Sequence, residues 1–211
     1  PQSFSGADAA LLRPEKTELS ARALKKTGDS LSEVSWGLWL EDLGNVKLET
    51  LADSGCDFVV FQAGSRVSAS PQEDGPGRVL EVEASLGDSL LRAINDLPAD
   101  AVLLVSDESG VDWRHLMAYQ RVSNLLSKPV LVRVPADVTP GEVKALWDVG
   151  VEGVVIDAGP GQTGKLKELR QAIEDPAFRI PKKPVKTNAV LPRLGGMTGA
   201  EAEEEEEEED I

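Results

Sequence analysis

The chain has 211 residues, 41% of them hydrophobic and only 4% aromatic, which suits one sizeable core built from Val, Leu, Ile and Ala. A single cysteine, Cys56, and a single histidine, His115, exclude an internal disulfide and a Cys/His zinc cluster. The net charge is −15, the body is acidic even without the terminal Glu run, and no basic stripe interleaves with aromatics, so the folded part is not expected to bind nucleic acid.

In chain order, four short apolar strands each follow a turn residue and an acid: Gly6-Ala7-Asp8, Gly55-Cys56-Asp57, Pro98-Ala99-Asp100 and Gly150-Val151-Glu152. The spacing of these repeats is too long for one β-α unit and about right for two. A second strand-like segment stands in each gap, at Ser35 to Glu41, Arg78 to Ser85 and Pro129 to Val134. Amphipathic helices are predicted at about 17–27, 45–54, 86–97, 111–127, 139–149 and 165–175. Thr139-Pro140-Gly141-Glu142 is a good helix start, with a hydroxyl cap, proline in the first turn and an acid at the third position. The stretch from Gly64 to Gly77 is too rich in Gly, Ser and Pro for a helix and reads as a loop.

Such alternation predicts parallel strands joined by right-handed crossovers, either closed as a barrel or open and doubly wound. The quarter-barrel repeat, and strands that alternate two kinds of side chain, favour the barrel. The fold class is therefore α/β and TIM-barrel-like, with about seven β-α units where eight are usual. Because the sequence does not begin with Met, the first unit is expected to be the missing one. An open edge left there would recruit a second copy of the chain. Residues 1–180 make the barrel-like domain. Residues 181–211 make an extended basic arm, with Lys182, Lys183, Lys186 and Arg193 among prolines, and a self-repelling tail, Glu203 to Glu209, expected to be disordered. That tail serves solubility or contacts a basic partner.

The whole resembles the TIM-barrel superfamily. Trp36-Gly37-Leu38-Trp39-Leu40-Glu41, the stretch from Val79 to Ile94 and the acidic tail are similar to a group of uncharacterised bacterial barrel proteins with an acidic C-terminal tail. The resemblance implies a fold and carries no catalytic motif. No apolar run approaches the ~20 residues of a membrane span, and Pro1 to Ala10 is unlike a signal peptide, so a cytoplasmic protein is expected.

Working residues of such a barrel lie at the C-terminal ends of its strands. Alternation along Val79 to Ser85 turns Leu80, Val82 and Ala84 toward the helices and leaves Glu81 and Glu83 in the lumen. The same rule places Glu41, Gln62, Arg133 and Asp157 there. Several carboxylates and one arginine in a lumen must be paired, protonated or metal-bound. Glu41, Glu81, Glu83, Arg133 and Asp157 are thus the candidate catalytic residues, and Glu81 with Glu83 the candidate metal ligands. The structural alternative pairs Arg133 with Glu81 or Glu83.

Gly159-Pro160-Gly161-Gln162-Thr163-Gly164-Lys165 follows a strand and opens a helix, matching G-x-x-x-x-G-K, but Leu166 stands where a magnesium-binding hydroxyl belongs. A barrel phosphate site suits these residues better than a nucleotide loop, with Gly159, Gly161, Gln162, Thr163, Gly164 and Lys165 as its candidates. A flexible connector is the plainer reading. His115, just off a stripe of Trp113, Leu116, Met117 and Gln120, is expected at the surface, and Cys56 as a buried filler. The sequence leaves the cofactor open. A non-catalytic scaffold or interaction module is slightly favoured; the alternative is an enzyme or ligand-binding barrel for a small phosphorylated or carboxylated molecule.

Overall fold

A computed structural model describes residues 6–14, 20–31, 33–45, 47–66, 75–106, 110–157 and 163–175. Within them seven strands form one sheet in the order β1-β2-β3-β4-β5-β6-β7, every neighbouring pair parallel. The strands are β1 Ala9–Leu12, β2 Ser35–Leu40, β3 Phe58–Gln62, β4 Gly77–Glu83, β5 Ala101–Val105, β6 Val130–Val134 and β7 Gly153–Ile156. The helices are α1 Ala21–Ser30, α2 Leu48–Asp53, α3 Asp88–Ile94, α4 Trp113–Leu125, α5 Pro140–Asp148 and α6 Thr163–Glu174. Sequential strand order with helical crossovers curls the sheet into an incomplete TIM-type barrel. Among the described residues β1 and β7 share no ladder, so the sheet stays open at that seam.

The internal repeat has a physical cause. Gly6, Gly55 and Gly150 have φ of 102°, 79° and 99°, a left-handed conformation that side chains with a Cβ resist. After Gly55, and likewise after Pro98, the acid two residues later clamps the strand before it. The Asp57 N–H donates to the Trp36 carbonyl at 2.9 Å while its Oδ2 accepts the Trp36 N–H at 2.8 Å. Asp100 repeats this on Arg78, at 2.7 Å in both directions. These acids sit at the N-terminal ends of the strands, where barrels keep stability rather than chemistry.

Alternation sorts the core. Leu80, Val82, Val102, Leu104, Val130 and Val132 face outward into one cluster with Leu91, Ile94, Tyr119, Val122 and Leu146 of the helices. A second cluster joins Trp36, Leu38 and Val59 to Leu24, Leu48 and Leu51. Val60, Val79 and Leu103 point the other way and fill the lumen with Leu11, Trp39, Phe58, Leu131 and Val155 around them. Each fully buried leucine or valine contributes about 1.5–3 kcal/mol of transfer free energy. Helix α5 has the predicted start: Thr139 and Glu142 form a capping box, with Pro140 as its first residue.

Helix α4 departs from expectation. Its buried stripe is His115, Tyr119 and Val122, whereas Trp113 and Met117 are 82% and 64% exposed. His115 is therefore not a surface residue. Its ring lies 5.9 Å from that of Tyr119, and Asp112 caps the helix through the His115 N–H at 2.9 Å. Cys56 is buried. Among the described residues no helix is long and apolar enough to cross a membrane. The proposed boundary at residue 180 and the basic arm and Glu tail beyond it lie outside the described residues.

Candidate functional site

A cavity of about 750 Å³ runs from the seam between β1 and β7 into the lumen. Its inner wall is apolar, made by Leu11, Phe58, Val60, Val79, Leu103, Leu131 and Val155. Asp8, Glu152 and Arg170 line it at the seam, and at the C-terminal ends of the strands the lining is Arg13, Trp39, Glu81, Arg133 and Asp157.

Glu81 is the buried member of this set, 9% exposed. Register explains its neighbours: it pairs with Gln62 of β3 and Leu103 of β5. The Trp39 indole N–H donates to Oε2 at 2.5 Å and the Gln62 amide donates to Oε1 at 3.2 Å. One carboxylate in an apolar lumen is thus held by neutral donors from two adjacent strands. The Arg13 guanidinium lies 4.2 Å above the Trp39 ring, a cation–π contact that orders both side chains.

The remaining candidates are spread along the rim. Arg133 does not pair with Glu81 or Glu83: its Nη2 donates to Asp157 Oδ2 at 2.5 Å, because β6 and β7 are adjacent and Arg133 is level with Val155. The two side chains are 40% and 73% exposed, so their link is solvated and contributes little stability. Glu83 is exposed and accepts from the Ser85 hydroxyl at 2.9 Å. Glu41 is exposed at the end of β2, its backbone carbonyl taking the Ser65 hydroxyl at 3.1 Å. The costly cluster of buried carboxylates foreseen from alternation is therefore a single buried Glu81. Among the described residues no group of three His, Cys, Asp or Glu side chains could hold a metal ion.

Of the phosphate candidates, Gly159, Gly161 and Gln162 lie outside the described residues, while Thr163, Gly164 and Lys165 open α6. Lys165 lies 3.8 Å from Glu168 on its own helix. Arg13 and Trp39 are not among the sequence candidates. Trp39 shares the parity of Glu41, which the sequence places in the lumen, and Arg13 that of Leu11, which the structure packs there.

No family model and no curated protein matches this chain. Solved structures do. Thiamine phosphate pyrophosphorylase from Pyrococcus furiosus aligns with a TM-score of 0.59 at 14% identity, over 82% of this chain and 86% of that one. Orotidine 5′-phosphate decarboxylase from Pyrococcus horikoshii OT3 gives 0.60 at 14%, over 82% and 90%. Tryptophan synthase from M. tuberculosis gives 0.60 at 13%, over 82% and 84%. The chain has the fold of the TIM-barrel enzymes. At these identities the likeness carries the fold alone.

Proposed function

We propose that the mouth of the barrel binds a small carboxylated or phosphorylated molecule. The observation that carries this reading is that two guanidinium groups, Arg13 and Arg133, line the mouth of one cavity whose inner wall is apolar. Arg133 gives one Nη to Asp157 and is 40% exposed, so it can turn its fork to an incoming anion. The Trp39 face and the apolar wall suit the ligand's hydrocarbon part, and Glu81 accepts a hydroxyl or amine from it. Thiamine phosphate and orotidine 5′-phosphate appear in the names of two similar structures, which supports an anionic ligand class.

A scaffold without a ligand remains the second reading, favoured by the apolar filling of the lower lumen. That filling is also normal in catalytic barrels. Calorimetric titration with inorganic phosphate, sugar phosphates and dicarboxylates separates the two. We expect saturable binding that weakens at least about tenfold, or about 1.4 kcal/mol, in Arg133→Met and in Arg13→Met. Arg133→Met should shift stability by less than about 1 kcal/mol, since its partner is exposed. Absence of saturable binding at millimolar ligand would favour the scaffold.

A further inference from the structure

Outside the lumen, on the helix side of the rim, three side chains form a chain of contacts that the proposed ligand site does not use. Ser106 directly follows β5, and its parity with Val102 and Leu104 directs it toward α4 rather than the cavity. Its Oγ lies 3.0 Å from His115 Nε2, and His115 Nδ1 lies 2.9 Å from Asp112 Oδ1. The serine is exposed and the imidazole is 7% exposed. Tyr119 covers one face of that ring.

We propose that Ser106, His115 and Asp112 are a nucleophile, base and orienting acid that hydrolyse small carboxylic esters. The geometry is that of an activated serine: nucleophile and base within hydrogen-bond reach, and the base oriented through its other nitrogen. The site lies at the C-terminal ends of the strands, the end at which barrels do chemistry. The first-turn His115 N–H, followed by the charge and side chain of the same residue, holds the Asp112 carboxyl below its ordinary range, so an anion faces Nδ1. The Asp112 N–H also reaches Nδ1, at 3.4 Å, in a capping box with an imidazole where Glu or Gln is usual. The carboxylate is the nearer of the two, at 2.9 Å; with the proton on Nδ1 facing it, Nε2 is the atom that accepts the Ser106 proton.

In the reaction Ser106 Oγ bonds to the acyl carbon as its proton passes to Nε2. The acyl–oxygen bond then breaks, and the Nε2 proton leaves on the departing alcohol. Water repeats both steps on the acyl-serine, releasing the acid and restoring Ser106.

The test uses the full chain, a fluorophosphonate probe and p-nitrophenyl acetate. We expect stoichiometric labelling that peptide mapping places on Ser106, and an acyl burst. Ser106→Ala should abolish both. His115→Gln is chosen because glutamine restores the capping box; it should keep the wild-type melting temperature and lose at least about a hundredfold in turnover. Asp112 is a positioning residue, so Asp112→Asn, which keeps the cap acceptor, should lower kcat and leave KM unchanged. Unlabelled wild-type Ser106, or equal labelling of folded His115→Gln, would overturn the proposal and leave the trio as a helix cap. Should His115→Gln fail to fold, the wild-type and Ser106→Ala labelling still decide.

Discussion

Asp57 grips Trp36 with both ends of its own residue, the N–H on the Trp36 carbonyl at 2.9 Å and the carboxylate on the Trp36 N–H at 2.8 Å. The carboxylate satisfies a backbone donor at the start of β2, and Asp100 does the same for Arg78 at the start of β4. Each is a charge-assisted bond at a partly exposed site. Asp57→Ala and Asp100→Ala should each cost about 1–2 kcal/mol, read by urea unfolding, and Asn at either position should recover part of it. Unchanged midpoints for both alanine variants would show that the repeat acids are ornaments of the turn.

Trp39 and Glu81 form the one buried charged contact in the described lumen. Trp39→Phe keeps the ring but removes the donor, leaving a carboxylate oxygen short of a partner, at a cost of about 1–3 kcal/mol. Glu81→Leu should remove most of that cost in the double variant, because an apolar pair strands nothing. Additive effects in a double-mutant cycle would deny the coupling.

Burial pushes the Cys56 thiol up to about 11 from an ordinary 9.0. The unfolded thiol ionises first, so the unfolded state binds fewer protons across that window and stability falls as pH rises from 9.0 toward 11. Burial raises the Tyr119 phenol as well, so its slope has the same sign. Cys56→Ala should therefore show a shallower loss than wild type over this range in pH-dependent melts. The native thiol should also react with a disulfide reagent only as fast as the protein unfolds.

Glu142 has the opposite sign. Hydrogen bonds from the Thr139 side chain, then its backbone N–H, hold the carboxyl below its ordinary 4.5. A lowered native value stabilises the fold above the unfolded value, and that contribution is lost as pH falls through the native one. The gap in melting temperature between wild type and Glu142→Gln should be full near neutrality and close in acid. Thr139→Ala should cost about 1 kcal/mol at neutral pH.

Strand faces were readable because period-two alternation needs no partner: Leu80 and Val82 against Val79 and Glu81 divide as written. The helix starts at Thr139 and the repeat glycines were equally local signals. Pairing was not local. Arg133 finds Asp157 on the neighbouring strand, while Glu81 is two strands away, and only the register decides that. In α4, large apolar side chains drew the stripe to Trp113 and Met117. The smaller set of His115, Tyr119 and Val122 faces the core, since Ser106 and Asp112 satisfy the imidazole. Neither partner is marked by composition.

The open seam assigns a place for native-state opening. There α6 meets β1 through Arg170, which holds Asp8 at 2.6 Å, and the Gly6 backbone passes so close to Leu166 that a Cβ would lie 3.3 Å from it. No ladder joins the two edge strands, every residue of β7 is half-buried, and the Arg170–Asp8 pair is partly solvated. The amides of β1, β7 and α6 should therefore exchange with solvent before those of β4 and β5, and the barrel should breathe along one line while its far wall stays shut.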